Sequence, residues 1–265
     1  MISLENIHKS FGDKRVLNGF TLDVNEGETM VIIGYSGTGK SVAIKHIVGL
    51  LEPDSGTVFV DGLEVPKLRR RELYALRSQI GYVFQFSALF DSLTVNENVA
   101  MGLVKSGKFT PKEIDARVQE SLELVDLPAA GKTLPIELSG GMRKRVGIAR
   151  SIAFRPKYML YDEPTTGLDP VTAAVIDELM KRMQVQLGVT SIVITHDMRS
   201  AYFVGTRIAM LFEGKVRQVG TVEEIKSTTD PVVRQFIEGR ATLHNVNMSM
   251  DTMTTGATDP SGAVV

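Results

Sequence analysis

Eight residues constrain this chain more than any others: Gly34-Tyr35-Ser36-Gly37-Thr38-Gly39-Lys40-Ser41. They match the pattern G-x-x-x-x-G-K-[ST] and sit between the short apolar run Val31-Ile32-Ile33 and a segment, 40–51, that reads as a helix. A buried strand feeding a glycine-rich loop and a helix start is the context in which such a loop cradles phosphate. Glycines let successive backbone N–H groups point inward, and the helix N-terminus adds positive potential. Lys40 can reach the β- and γ-phosphates, and Ser41 can ligate Mg²⁺. A chance match in a glycine-rich turn is expected in only about one chain per hundred of this length, before the strand–loop–helix context is counted.

The surrounding pattern predicts an α/β fold. Residues 1–34 read as strands joined by turns, 56–65 as a hairpin with Asp61-Gly62 at its tip, and 80–85 as a strand. Strand signals disappear from about 92 to 154, where Ile114, Val118, Leu122 and Val125 share one helix face. Strand and helix then alternate again: strand 158–161, helix 171–187, strand 191–194. That alternation predicts a mostly parallel sheet flanked by helices, with a helical lobe inserted between two halves of the core. The boundaries expected are a core of 1–85 and 156–238, a lobe of 86–155, and a tail, 239–265, rich in Thr, Ser, Gly and Ala and expected to be disordered.

Composition narrows the function classes. Thirty basic and 31 acidic residues give a net charge of −1, so no global positive field exists to hold nucleic acid. The absence of cysteine excludes disulfides, iron–sulfur clusters and thiolate zinc sites. The first residues alternate like a strand and lack the regions of a signal peptide, and no apolar run approaches the ~20 residues that span a bilayer. The expectation is a cytoplasmic protein whose link to a membrane comes through a partner.

A second chemical motif is Tyr158-Met159-Leu160-Tyr161-Asp162-Glu163, an apolar strand ending in two carboxylates. Ligands of α/β sheets sit at the carboxyl ends of strands. Asp162 is expected to serve Mg²⁺, and Glu163 to activate or orient the attacking water. Alone, the pair reads equally as an exposed turn before Pro164; beside a phosphate loop, the catalytic reading prevails.

Over nearly the whole of 1–238 the chain resembles the ABC ATPase family. The decisive stretch is Leu138-Ser139-Gly140-Gly141-Met142, close to the family's L-S-G-G-Q signature and 20 residues before Asp162 and Glu163. Ser139 reads as an N-cap, with Gly140 and Gly141 opening a helix through about 153, which makes a second anion site. The resemblance implies an ABC ATPase fold: a mixed-sheet core, an antiparallel β-subdomain and an inserted helical subdomain. It implies that the signature meets the γ-phosphate bound by a second copy, so that a homodimer hydrolyses MgATP at shared sites. It assigns Gln85 to the loop that senses Mg²⁺ and couples to the permease, Gly167-Leu168-Asp169 to a cross-dimer contact, His196 to the γ-phosphate switch and Phe11 to adenine stacking. Three departures stand out. Val42 replaces the usual second hydroxyl and leaves only its N–H for the α-phosphate, Met142 replaces Gln, and Tyr35 is bulky for its place in the loop.

Within the family the likeness is to the ATPase of Mla-type (MCE) phospholipid transporters. It rests on Met142, on Ala88-Leu89-Phe90-Asp91-Ser92-Leu93-Thr94-Val95 and on 230–239. This implies a permease, an MCE-domain substrate-binding partner and a place on the inner face of the cell membrane. The alternatives are the ATPase of an amino-acid or lipoprotein system, or a soluble ABC protein of DNA repair or translation. Arg143-Lys144-Arg145 reads either as a solvated helix surface or as added positive potential near the shared phosphate. Phe86, Leu89, Phe90 and Leu93 read either as lobe packing or as a permease contact. Arg234, Phe236 and Ile237 are expected to dock onto a neighbouring subunit.

Overall fold

The computed structural model describes residues 1–240; the expected tail lies almost wholly outside them. Two sheets organise the chain. The first is antiparallel: β1 (Ile2–Phe11), β2 (Lys14–Val24), β4 (Ser55–Val60) and β5 (Leu63–Glu64), in the order β2-β1-β4-β5. The second holds β3 (Thr29–Ile33), β6 (Ile80–Val83), β7 (Tyr158–Asp162), β8 (Thr190–Ile194), β9 (Arg207–Phe212) and β10 (Lys215–Thr221), in the order β10-β9-β3-β8-β7-β6. β9, β3, β8, β7 and β6 run parallel and β10 pairs antiparallel to β9, so the sheet is mixed.

The helices are α1 (Lys40–Ile47), α2 (Arg70–Arg77), α3 (Val95–Ser106), α4 (Pro111–Leu124), α5 (Gly140–Ile152), α6 (Pro170–Leu187), α7 (Met198–Val204), α8 (Val222–Lys226) and α9 (Pro231–Ile237). α3 to α5 follow β6 and precede β7, where the strand signals vanish from the sequence. Both faces of the mixed sheet are covered, which is why β3, β7 and β8 are buried throughout and largely apolar. The period of two sorts their side chains. Val31, Ile33, Met159, Tyr161 and Val193 join one core with α3 to α7. Met30, Ile32, Tyr158, Leu160, Ile192 and Ile194 join the other with α1 and the antiparallel sheet.

The helix after the phosphate loop stops short of the expected residue 51. Gly49 takes φ +61°, its N–H bonds to the His46 carbonyl at 3.1 Å, and the Leu50 N–H bonds back to Lys45 at 2.9 Å. This glycine closure ends α1 at Ile47 although the apolar pattern runs on.

Candidate nucleotide site

β3 delivers the chain into the loop at Gly34, and two glycines are there for lack of room as much as for φ. A Cβ on Gly34 would fall 2.4 Å from the Leu211 carbonyl oxygen, and one on Gly39 would fall 2.7 Å from Val16. Gly39, at φ +101°, starts α1 without a side-chain cap, so no capping side chain takes up the first-turn amides that an anion would use. Lys40 is buried, with Nζ donating to the carbonyls of Gly34 at 2.8 Å and Tyr35 at 3.0 Å. Burial holds its pKa below 10.5, while the charges of Glu163 and Asp162 act the other way. Thr38 Oγ1 also donates to the Tyr35 carbonyl, at 2.8 Å.

Parallel pairing in the order β3-β8-β7-β6 brings the remaining groups to the same sheet edge. Ser41 Oγ donates to Asp162 Oδ1 at 2.6 Å, and Tyr82 Oη donates to Asp162 Oδ2 at 3.1 Å. A hydroxyl beside a carboxylate is a hard-oxygen pair that suits Mg²⁺, whose remaining ligands are usually water and substrate phosphate. Glu163 follows at φ +50°, a conformation that costs a non-glycine residue about 1 kcal/mol or more, and its N–H is tied to the Ile194 carbonyl at 3.0 Å. Glu163 Oε2 lies 2.8 Å from His196 Nδ1 and accepts from Thr166 Oγ1 at 3.0 Å. Burial alone would raise the Glu163 pKa. The hydrogen bond and charge of His196, helped by Lys40 and Thr166, outweigh it and hold the carboxyl below 4.5. The same bond raises His196 above its ordinary 6.5, against partial burial.

One cleft of about 410 Å³ is lined by Phe11, Val16, Gly39, Lys40, Ser41, Val42, Gln85 and Glu163, together with Ser36 and Gly37. It thus joins the half-exposed Phe11 ring, at the end of β1, to the loop and to Glu163. A second cleft, of about 330 Å³, runs along His196, Gly167 and Leu168. Ser139, Gly140 and Gly141 line neither cleft. Ser139 caps α5, its Oγ accepting from the Met142 N–H at 3.2 Å, a contact worth about 1 kcal/mol. Gly141 is required by packing, because a Cβ there would lie 2.3 Å from Thr172 of α6.

Sequence reasoning missed what holds Gln85. Lys144 of α5 donates to the Gln85 carbonyl, and Arg150 donates to those of Ser87 at 2.8 Å and Ala88 at 2.6 Å. Ser87 and Ala88 both take positive φ, and Ser151 Oγ fixes the Tyr82 carbonyl at 2.9 Å. One helix thereby carries the Ser139 cap and grips the segment after β6. In the cluster Arg143-Lys144-Arg145, Arg143 donates to the carbonyl of Leu138 and Arg145 to those of Val125 and Asp126, while the buried Lys144 lies within the field of Glu163 and Asp162. The apolar cluster after Gln85 divides. Leu89 packs on the α3–α7 core, whereas Phe86 is 85% and Phe90 52% exposed. Phe236 meets the phosphate loop of its own chain, its ring 5.0 Å from that of Tyr35.

These features define a P-loop ATPase with a separate capped-helix signature. The ABC transporter family model matches residues 17–166, and the chain belongs to that family as an ATP-binding subunit. A probable ribonucleotide transport ATP-binding protein of Mycobacterium leprae is 40% identical over 239 residues, 90% of this chain and 69% of its own. The methionine import ATP-binding protein MetN of Carboxydothermus hydrogenoformans is 41% identical over 241 residues, 89% of this chain and 71% of its own. The chloroplastic protein trigalactosyldiacylglycerol 3 of Arabidopsis thaliana is 38% identical, covering 90% and 74%. Among solved structures, a dimeric ATP-binding cassette in a post-hydrolysis state with ADP and Pi superposes with a TM-score of 0.76 at 35% identity, over 84% of this chain and 99% of that one. CbiO1 of Clostridium perfringens, part of an ABC transporter complex, gives 0.79 at 30%, over 94% and 98%. The antiparallel sheet, mixed sheet and helical part expected from the sequence are those of this fold, and ATP hydrolysis is the family's activity.

Proposed function

We propose that this chain powers phospholipid transport of the Mla/MCE type, hydrolysing MgATP at sites shared by two copies docked on a permease at the inner face of the membrane. An MCE-domain protein is the substrate-binding partner. The observation that carries the nucleotide chemistry is the single cleft uniting Lys40, Ser41, Gln85 and Glu163 while Ser139 stands outside it.

In this reading Phe11 stacks on adenine. The amides of 34–42 and the Lys40 ammonium hold the phosphates. Ser41 and Asp162, with Gln85, would hold Mg²⁺, which would supply positive charge to stabilise the transferring phosphate. Glu163 takes the proton of the attacking water, and its depressed pKa keeps it ionised for that task. His196 fixes the Glu163 carboxylate and reaches the γ-phosphate. Ser139, Gly140 and Gly141 serve the nucleotide of the partner copy through the amides at the start of α5. Supporting the lipid assignment are the sequence likeness at Met142, 88–95 and 230–239.

The test is Glu163→Gln, which keeps the size and hydrogen-bonding reach of the side chain. MgATP binding should persist while turnover falls about 10²- to 10⁴-fold; near-normal turnover rejects the base role. The MetN relative favours a second reading, amino-acid import. Lipid analysis of the complex purified from native membranes separates the two, since bound phospholipid supports the first and methionine-stimulated ATPase activity the second.

A further inference from the structure

Tyr35 looks out of place in a phosphate loop, and its ring has a partner. It meets Phe236 of α9 edge-on, at 5.0 Å between centroids and 86° between planes, and Phe212 at the end of β9 at 6.5 Å and 63°. Its carbonyl is the busiest acceptor in the loop, taking bonds from Lys40 Nζ at 3.0 Å, Thr38 Oγ1 at 2.8 Å and the Thr38 N–H at 3.4 Å. Ring and carbonyl belong to one residue, so what holds the ring also sets the direction of the carbonyl that receives Lys40.

α9 is built to hold still. Asp230 caps its start, accepting from the N–H groups of Val232 at 2.9 Å and Val233 at 3.1 Å, and pairs with Arg217 of β10 at 2.8 Å. Gly239 closes its end at φ +64°, with N–H bonds from Gly239 to Phe236 at 3.1 Å and from Arg240 to Gln235 at 3.1 Å. Val233 is fully buried, and Val232, Phe236 and Ile237 pack on the same core as Tyr35. Such a short helix has little stability of its own; these caps and contacts make it a fixed abutment for the loop.

We propose that Phe236 is a positioning residue for the phosphate loop, so that docking of α9 through the Tyr35–Phe236 pair sets the affinity for ATP. The segment after the catalytic elements then regulates nucleotide occupancy from the opposite end of the chain. This rests on ATP binding at the loop, which the unsubstituted chain tests separately.

The experiment uses the full chain and reads binding of a fluorescent ATP analogue, the KM for ATP, kcat and thermal stability. Phe236→Ala should raise the dissociation constant and KM about 2- to 10-fold, the span expected for loss of an aromatic pair, with kcat changing far less. Phe236→Tyr should restore both constants. Tyr35→Ala combined with Phe236→Ala should bind no more weakly than Tyr35→Ala alone. Val118→Ala, in the helical region away from α9, controls for general destabilisation and should leave KM unchanged. The proposal is overturned if Phe236→Ala leaves KM unchanged, if Val118→Ala raises it equally, or if the Tyr35 and Phe236 effects multiply.

Discussion

Glu163 and His196 show how two ordinary residues become a coupled pair. Adjacent carboxylates on a regular strand would already diverge, but the left-handed turn at Glu163 carries its carboxylate to His196 and leaves Asp162 with Ser41. The histidine gains the stabilisation of its charged form from that carboxylate, so its pKa rises above 6.5. In a ring-proton NMR titration, His196 should therefore titrate above 6.5 in the wild type. In Glu163→Gln the midpoint should fall, because the neutral amide no longer favours the cation; an unchanged midpoint would show that the raised pKa has another source. The identities of Lys40, Ser41, Asp162, Glu163 and His196 were legible because each sits at a fixed offset from a strand end. The roles of Tyr35, Lys144 and Arg150 were not legible. Their partners, Phe236, Gln85 and the 87–88 carbonyls, are brought to them by tertiary packing across 59 to 201 residues of sequence.

Elements were easiest to read where a period met a cap. α4 begins at Thr110, whose side chain exchanges hydrogen bonds with Glu113, and its buried Val118 and Leu122 follow the expected face. The end of α1 was hidden because closure depends on Gly49 adopting positive φ, which the apolar pattern does not encode. Equally hidden was the seam between α6 and α7. There Asp177 is buried, Oδ2 accepts from Ser200 Oγ at 2.8 Å, and Oδ1 has no hydrogen-bond partner. Burial pushes this carboxyl from 3.8 up to about 6; Ser200 and Arg199 oppose the rise, while Asp197 and Glu178 add to it. The folded chain then retains a proton that the unfolded chain releases, so the stability of the wild type declines as pH rises from 3.8 towards 6 and stays reduced above it. The difference corresponds to about 3 kcal/mol, at about 1.4 kcal/mol for each pH unit. Asp177→Asn has no proton to lose there. Urea unfolding at pH 4 and pH 7 should show the variant gaining on the wild type by up to that amount, and a constant difference would mean that Asp177 is ionised throughout.

At the scale of the molecule, the sheet and its two cores place the loop, the carboxylates and His196 at one edge, while α5 presents Ser139 elsewhere on the same chain. A mostly parallel core with helices inserted after β6 could be anticipated from the alternation of strand and helix signals. The crossing order of the mixed sheet could not, because pairing such as β3 with β8 joins residues 162 apart in sequence. Among the described residues no helix is long and apolar enough to cross a membrane. Phe86 and Phe90 offer an exposed apolar contact beside the segment that α5 grips, the kind of patch that marks partner sites. Central to the account is that a hydrolytic site needs the loop of one copy and the signature of another. The most direct measurement is the ATPase activity of mixed Lys40→Ala and Ser139→Arg subunits, with heterodimer formation verified by differential tags. Each variant alone should be inactive, and the mixture should regain activity, because a heterodimer contains one pairing of intact Lys40 with intact Ser139. Verified heterodimers with no more activity than either variant alone would contradict it.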